Sequence, residues 1–273
     1  LSLGLGVVLP AQWSRVLQAF QPTDFAQSDP LFNVDIAFYS FRLPMLELLE
    51  FWSFGVVGYC FVAVSLTYLL SGESLSEGRF PGFSRWQQRH LQGLGAITAM
   101  VLALSFWLQR YELLYSNDGV VFGASYTDVN VKLPAYTALA LLAVAIAILL
   151  LWEAVTGASP FDRRPRRQPT LEEKLAPRRP RKTLVPPLYL ILGGYAIAAG
   201  VTTWLLPALV QRIVVQPNEL VRERPFIERS IAYTRSSFDL DDIEVETFNP
   251  TGALNQASLK ANSLTIRNIR LWD

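Results

Sequence analysis

The stretch LPAYTALALLAVAIAILLLW at residues 133–152 decides the fold class, because it contains 20 consecutive residues without a charge. A helix needs about 20 apolar residues to cross the hydrocarbon core of a bilayer. In lipid, backbone groups must pair within their own segment, which favours a helix. The stretch therefore predicts a transmembrane helix.

Three further uncharged runs lie along the chain, at 51–72, 91–109 and 183–211. One such run is compatible with a buried helix of a large soluble protein, but four in one chain favour the membrane. The fold class predicted is an all-α integral membrane protein. Its four full transmembrane helices are predicted near 47–70, 91–109, 133–152 and 186–208, within a membrane region at 47–210.

The composition agrees with this class and excludes others. Hydrophobic residues occupy 51% of the 273 positions, charged residues occupy 17%, and the mean hydropathy is +0.26. Disordered chains are poor in apolar residues, and a disulfide scaffold needs more than the single Cys60. Nucleic-acid-binding domains are usually strongly basic, whereas the net charge here is +1. The partners expected are the lipid bilayer and other membrane-protein subunits, and no nucleic acid.

The linker at 156–183 is rich in basic residues and separates the third and fourth predicted helices. Because cytoplasmic loops carry an excess of Lys and Arg, the linker is predicted to be cytoplasmic. The extracytoplasmic segment at 10–46 and the tail at 211–273 then lie on the periplasmic or lumenal side. The membrane is predicted to be a bacterial inner membrane or a thylakoid membrane.

The same linker is a candidate site for anionic lipid headgroups, which attract juxtamembrane basic residues by about 1 kcal/mol per charge. A solvated, proline-rich linker that only sets topology is the alternative. The candidate headgroup contacts are Arg163, Arg164, Arg166, Arg167, Arg178, Arg179, Arg181 and Lys182.

Both ends of the chain are predicted to belong to larger elements. Residues 1–9 are apolar but too short to span a bilayer, so they are interpreted as the end of a truncated transmembrane helix. A cleaved signal peptide is the alternative. Residues 211–273 are predicted to start an α+β extracytoplasmic domain.

The tail contains signals for both kinds of secondary structure. Asn218 is a candidate helix N-cap, and helical spacing of apolar residues continues to about Ser237. Pro225 is expected to split or kink that helix. Alternation at 243–248 and again from Leu264 predicts strands.

The stretch QPNELVRERPFIERSIAYTRSSFDLDDIEVETF at 216–248 resembles uncharacterised protein family 0182, which comprises large bacterial multi-pass membrane proteins. Three more stretches are similar to the family pattern: DPLFNVDIAFYSFRLP (29–44), RYELLYSNDGVVFGASYTDV (110–129) and SLTIRNIRLWD (263–273). The resemblance implies that further helices precede residue 1 and that an extracytoplasmic domain continues past Asp273. Within the family, the sequence resembles the cyanobacterial members. It implies an architecture and no catalytic residue.

The sequence offers little material for metal or nucleophilic chemistry. Its one histidine, His90, and its one cysteine, Cys60, lie in different helical regions, so no metal site is expected. There is no G-x-S-x-G elbow, and the outer segments contain no histidine to act as a base. No catalytic residue is assigned, and a non-enzymatic role is favoured over an enzyme.

His90 has two interpretations. It stands at the start of a predicted membrane helix, where it is a candidate axial ligand of a tetrapyrrole. The alternative is an interfacial histidine beside Arg89 without a ligand. No cofactor is predicted, but chlorophyll or carotenoid would fit a photosynthetic complex, and bound lipid is expected.

Small residues recur every four positions in two of the helices, and such stripes let helices approach closely in lipid. They either hold the protein's own helices together or contact another subunit. The residues are Gly95, Ala99 and Ala103 in the second helix, and Gly194 with Ala198 and Ala196 with Gly200 in the fourth.

Aromatic residues frame the outer segments, and the loop at 111–132 is predicted to be a hairpin or a re-entrant cap. Together they are proposed to form an apolar collar that seats the outer domain on the helices. The collar residues are Phe32, Phe38, Tyr39, Phe41, Tyr111, Tyr115, Phe122 and Tyr126.

Three functions remain open. The first is a membrane scaffold or accessory subunit of a larger complex, with a photosynthetic complex as the host if the source is cyanobacterial. The second is a transporter or channel component, although the four uncharged runs lack the ionisable residues that transport usually needs. The third is an extracytoplasmic envelope enzyme whose site lies outside these residues.

Overall fold

The computed structural model describes residue 6 and residues 10–70, 83–157, 187–244, 246 and 255–269. This part of the chain is helical and contains no β-strand, although an isolated antiparallel bridge joins Ser28 and Asp35. The α-helices are α1 (Trp13–Phe20), α2 (Leu43–Leu69), α3 (Arg85–Glu112), α4 (Leu133–Thr156), α5 (Pro187–Gly200), α6 (Leu206–Val210), α7 (Glu219–Ser237), α8 (Gln256–Ala261) and α9 (Ser263–Asn268).

Within the described residues, four helical segments are long and apolar enough to cross a membrane, which confirms the predicted helical class with four such helices. We call them the first to fourth spans. They are Phe38–Leu69, Arg85–Tyr115, Asp128–Thr156 and Leu190–Ser237. Each extends beyond its uncharged run, because a helix can continue into polar sequence once its apolar part has formed.

The spans contain wider π-helical turns at Phe38–Arg42, Asp128–Lys132, Val201–Leu205 and Gln211–Val215. In each case the next residue donates its N–H to the carbonyl five residues back, and a proline follows: Pro44, Pro134, Pro207 or Pro217. A proline ring clashes with the carbonyl four residues before it. A π turn places one extra residue before the proline, which moves the preceding backbone carbonyls away from the proline ring. The prolines therefore account for the four π turns.

The second and third spans form the centre of the fold as an antiparallel pair. Their shared core contains the alanines Ala96, Ala99 and Ala147 together with Ile146 and Leu150. The first span packs against the second, and α5 packs against α4. The small residues permit a close approach of the two backbones.

The first three spans end on two sides of the bundle, which we call the loop end and the linker end. The loop end is where residues 38, 115 and 128 lie, next to the loop 116–127. The linker end is where residues 69, 85 and 156 lie, next to the start of the basic linker.

The fourth span corrects one prediction about the tail, the N-cap at Asn218, and one half of another, the split at Pro225. Asn218 does not open a separate helix, because Gln216–Asn218 is a 3-10 turn that runs directly into α7. Pro217 lacks an N–H, which explains the tighter turn. Pro225 lies inside α7 without splitting it, and α7 ends at Ser237 as predicted.

Residues 231–273 form a second compact unit, and its described residues are helical or irregular. The strand predicted from Leu264 is wrong over 264–268, where the chain forms α9. A strand needs a neighbouring strand for its backbone groups, and the described residues supply none. At 243–248, residues 243, 244 and 246 lie outside any strand, and the others lie outside the described residues.

Candidate functional site

Four of the six buried polar side chains of the described chain, Ser125, Thr127, Asp128 and Glu223, lie around the start of the third span, at the loop end. Asp128 is fully buried and accepts hydrogen bonds from the backbone N–H (3.0 Å) and the hydroxyl (2.8 Å) of Ser125. Lys132 Nζ lies 2.8 Å from Asp128 Oδ1 and 2.5 Å from the more exposed Asp118. One ammonium therefore connects the loop to the first turn of the third span.

The loop 116–127 folds back compactly, and its described residues form neither a hairpin nor any strand. The N–H of Gly123, which has φ +120°, donates to the carbonyl of Ser116 at 2.9 Å. A Cβ at Gly119 would lie 2.7 Å from the Cβ of Ser125, so the close approach of the loop requires glycine there. Of the two alternatives predicted for this loop, the hairpin is wrong, because these turns return the chain directly to the polar cluster, and the re-entrant cap stays a prediction.

The fourth span contributes two side chains to the same cluster. Glu223 is 1% exposed, and both of its carboxylate oxygens accept from the backbone N–H of Tyr126, at 3.2 and 3.1 Å. Thr127 donates its hydroxyl to Gln211 at 2.5 Å. A carboxylate at the N-terminus of a helix also interacts favourably with the helix dipole. Glu223 thus caps the third span from a position 97 residues away.

Replacing Glu223 with Ala should destabilise the chain by about 1–3 kcal/mol, because the buried N–H of Tyr126 loses its acceptor. The measurement is the apparent melting temperature in mild detergent. Glu219→Ala, one turn earlier and exposed, is the matched control and should change it little. Glu223→Gln keeps a hydrogen-bond acceptor, so its melting temperature should lie between those of Glu223→Ala and Glu219→Ala. An equal loss for the two alanine variants would contradict the capping role.

A cavity of about 270 Å³ lies beside this cluster, between the second and third spans. Its lining carries a carboxylate, an ammonium, an amide and two hydroxyls, so it can hydrogen-bond a small polar molecule. The lining residues are Gln109, Glu112, Leu113, Ser116, Lys132 and Tyr136.

A second polar feature at the loop end is the turn at Asp29, which is 6% exposed. Its carboxylate accepts from the backbone N–H groups of Leu31 (2.8 Å), Phe32 (2.7 Å) and Val34 (3.0 Å). The hydroxyl of Tyr39 donates to it at 2.8 Å. The turn is thereby tied to the first span.

Asp35 closes the other side of this turn. Its Oδ1 accepts from the backbone N–H of Ala37 at 2.7 Å and of Phe25 at 3.3 Å. The N–H of Ala37 holds the pKa of the Asp35 carboxyl below its ordinary value. Both aspartates therefore have turn-forming roles.

Several of the predicted collar residues meet above this turn. The ring of Tyr111 lies 4.8 Å from that of Phe32 and 5.0 Å from that of Phe38, and Tyr39 lies 5.3 Å from Phe38. The other four lie elsewhere: Phe41 stacks on Phe25, Tyr126 lies beside Arg222, and Phe122 and Tyr115 are exposed.

Arg110 completes the aromatic cluster in a way that the sequence did not indicate. Its guanidinium carbon lies 4.1 Å from the centroid of the Trp107 ring and 5.8 Å from that of Phe32. Two of its nitrogens, Nε and Nη1, are buried without a hydrogen-bond partner. A cation is attracted to the face of an aromatic ring. These two rings therefore offset part of the free-energy cost of burying the guanidinium of Arg110.

At the linker end, the candidate ligand His90 contacts the first span. Its Nδ1 lies 2.7 Å from the hydroxyl of Tyr68, so a metal in a tetrapyrrole would approach Nε2. The amide of Gln92 donates to buried Glu153 at 2.9 Å, and Arg89 donates to the carbonyl of Val155 at 3.4 Å. The linker ends of the first three spans are therefore joined by polar contacts.

The two small-residue stripes have different surroundings. Ala99 and Ala103 are buried, and a Cβ at Gly95 would lie 3.5 Å from Leu150 of the third span. A Cβ at Gly194 or Gly200 would meet nothing within 4 Å. Ala196 is exposed as well, whereas Ala198 is half-buried.

Among the described residues, no group of three or more His, Cys, Asp or Glu side chains could hold a metal ion. The eight candidate headgroup contacts at 163–182, and residues 1–9 apart from Gly6, lie outside the described residues.

The model of Uncharacterised protein family (UPF0182) matches residues 1–273, the whole chain. The chain belongs to UPF0182. Similar UPF0182 proteins come from the cyanobacteria Nostoc sp. (47% identical), Trichodesmium erythraeum (43%) and Synechocystis sp. (42%). Each match covers 100% of this chain and 25%, 28% and 25% of the relative, respectively, so the chain spans about a quarter of the length of these relatives. No solved structure matches it.

Proposed function

We propose that this UPF0182 chain is part of a membrane scaffold or accessory subunit that packs within a larger membrane complex. One observation carries the proposal. The described chain buries only 6% of the most apolar stretch of the first span and 6% of the corresponding stretch of the fourth span. For the third span the buried share is 39%. Two of the four spans therefore have apolar faces available to lipid or to other helices.

The exposed stripe of the fourth span favours protein over lipid as the neighbour. At 100° per residue, Ala196 and Gly200 face away from Ile191 and Tyr195, which pack against the core of the second and third spans. Small side chains leave grooves that helix backbones fill better than mobile acyl chains. A stripe that faces away from its own bundle therefore suits a helix of another subunit or of the same longer polypeptide.

The distribution of polar groups supports the same proposal. In the first three spans the described charges lie near the loop end or the linker end, and the core cluster between the second and third spans consists of Ala, Ile and Leu side chains. Transport usually leaves ionisable groups within the membrane. A packing role needs no such pathway.

The test is gentle solubilisation of the native membrane, isolation of the full-length protein and mass spectrometry of what co-migrates with it. Wild-type protein should carry a stoichiometric set of partners. Ala196→Leu should lose at least one of them while remaining monodisperse, because position 196 is exposed on the described chain. Ile197→Leu, also exposed and already large, is the matched control and should keep them all. Migration of the wild type alone would overturn the proposal.

The absorption spectrum of the same fraction tests the pigment and host hypotheses. Bound chlorophyll or carotenoid would indicate a photosynthetic complex and a thylakoid membrane. If His90 is the axial ligand, His90→Leu should remove the chlorophyll band while Tyr68→Phe leaves it in place. A colourless complex would favour the inner membrane and an interfacial role for His90.

Topology and lipid binding are separate proposals. The linker 156–183 is proposed to be cytoplasmic and to bind anionic headgroups, and the tail 211–273 to be periplasmic or lumenal. Single cysteines in the two segments should react with an impermeant reagent from opposite sides of the membrane. Replacement of the eight basic linker residues with Gln should reduce co-purified anionic lipid.

A transporter or channel component is the second candidate, favoured by the cavity that Glu112 and Lys132 line next to buried Asp128 and Glu223. Solute or ion flux by the full-length protein in proteoliposomes, abolished by Glu112→Gln, would favour it. An extracytoplasmic enzyme remains a hypothesis about other parts of the longer relatives.

A further inference from the structure

Helix α1 presents an apolar surface that the described chain leaves open. Trp13, Leu17 and Phe20 are 63%, 57% and 72% exposed. Their spacing places them within a narrow sector of the helix, because residues four and seven apart share one face. Three large apolar side chains of one short helix thus point in the same direction.

The other two sides of α1 have different chemistry. Gln12, Val16 and Ala19 are half-buried on the side where α1 packs against the π turn Phe38–Arg42 and α2. Ser14, Arg15 and Gln18 are exposed and polar. At 100° per residue, this polar side lies roughly opposite to the apolar face. The helix therefore has one protein-facing, one apolar and one polar side.

The location of α1 identifies what covers the apolar face. The helix contacts the start of the first span at the loop end, where that span meets the membrane surface. The first span also exposes apolar side chains, with Leu49 and Phe51 about half exposed. The open apolar face of α1 therefore belongs to a helix that packs against a span that itself exposes apolar side chains.

The residue types fit the boundary between headgroups and acyl chains. A tryptophan with a polar N–H and an apolar ring favours that level. Amphipathic helices bind there through apolar area and through attraction of basic residues to anionic lipid. The described helix has Arg15 as its one charge, so its contact with lipid depends on apolar burial.

We propose that α1 is an interfacial helix at the loop end, with Trp13, Leu17 and Phe20 inserted between the lipid headgroups and the upper acyl chains. The helix anchors the segment that leads into the Asp29 turn and holds that turn at the membrane surface. The covering partner is a lipid surface, and the contact does not depend on a second protein.

Spin labels on single cysteines test this placement in the full-length protein with Cys60 replaced by Ala. The protein is reconstituted into vesicles of phosphatidylcholine and phosphatidylglycerol. Accessibility to oxygen, which concentrates among acyl chains, is compared with accessibility to a water-soluble nickel chelate. The label sites are Leu17→Cys on the apolar face, Gln18→Cys on the polar face and Phe54→Cys on the first span as a deep reference.

The oxygen-to-nickel accessibility ratio should be several-fold higher at position 17 than at position 18, and highest at position 54. The ratio at 17 should not change when salt is raised, because apolar contacts are not screened. Trp13→Cys and Phe20→Cys should repeat the result if Leu17→Cys does not fold. Equal ratios at 17 and 18 would place the face in water, and shielding of 17 from both reagents would place protein over it. Either result overturns the proposal.

Discussion

Replacing Asp128 with Ala should produce the largest loss of stability among single substitutions in the polar cluster, about 3–5 kcal/mol, which is the typical cost of removing one partner of a buried ion pair. Asp128 is fully buried, and its carboxylate serves both Ser125 and Lys132. Without it, the Ser125 N–H loses its acceptor at the start of the third span. Lys132, whose side chain is 13% exposed, retains Asp118 alone.

The measurement is the apparent melting temperature in mild detergent, followed by size-exclusion chromatography to detect unfolding. Asp118→Ala is the matched control, because it removes a carboxylate from the same ammonium but from an exposed position. Exposed ion pairs contribute about 0.2–1 kcal/mol, so this variant should melt close to the wild type. Equal shifts for the two variants would mean that burial of Asp128 does not determine its contribution.

Asp29→Ala should disorder the turn that precedes the first span. Four donors, the backbone N–H groups of Leu31, Phe32 and Val34 and the hydroxyl of Tyr39, lose their acceptor together. Each buried donor left unpaired costs about 1–3 kcal/mol, which is more than a turn of this size can absorb. We therefore expect the turn to open and the aromatic cluster around Tyr111 to loosen.

Hydrogen exchange at the amides of Leu31, Phe32 and Val34 measures this opening directly. The exchange should approach that of an unprotected loop in Asp29→Ala. In Asp29→Asn, Leu31 and Phe32 should keep more protection than Val34, because an amide oxygen can still replace Oδ1. Asp24→Ala, on an exposed aspartate in the same segment, is the matched control. Retained protection in Asp29→Ala would show that the backbone alone maintains the turn.

The helices could be predicted from the sequence because their causes are local. Uncharged runs of sufficient length predicted four spans, and the described part of the chain contains four. A proline follows each π turn at the same distance, but Pro225 lies in a regular α-helix, so the prolines alone do not locate these turns. The strand predicted from Leu264 failed because alternation in a short segment is also compatible with a helix when no strand partner is present.

The candidate site was only partly predictable. Four of the predicted collar residues lie together near Asp29, whereas Asp118 and Asp128 carried no signal beyond their charge. The capping carboxylate of Glu223 had no such signal, because its partner Tyr126 lies 97 residues earlier. Arg110 was likewise missed, since its position over Trp107 and Phe32 depends on the path of the segment before the first span.

The sequence was enough to predict the four apolar helices of the described chain, because apolar length is a local property. How the small-residue stripes are used depends on the tertiary fold, since Gly95 and Gly194 look alike along the chain. Gly95 meets Leu150, whereas Gly194 faces open space. The difference arises from which helices become neighbours and in which register, and that depends on side chains distant in sequence fitting together.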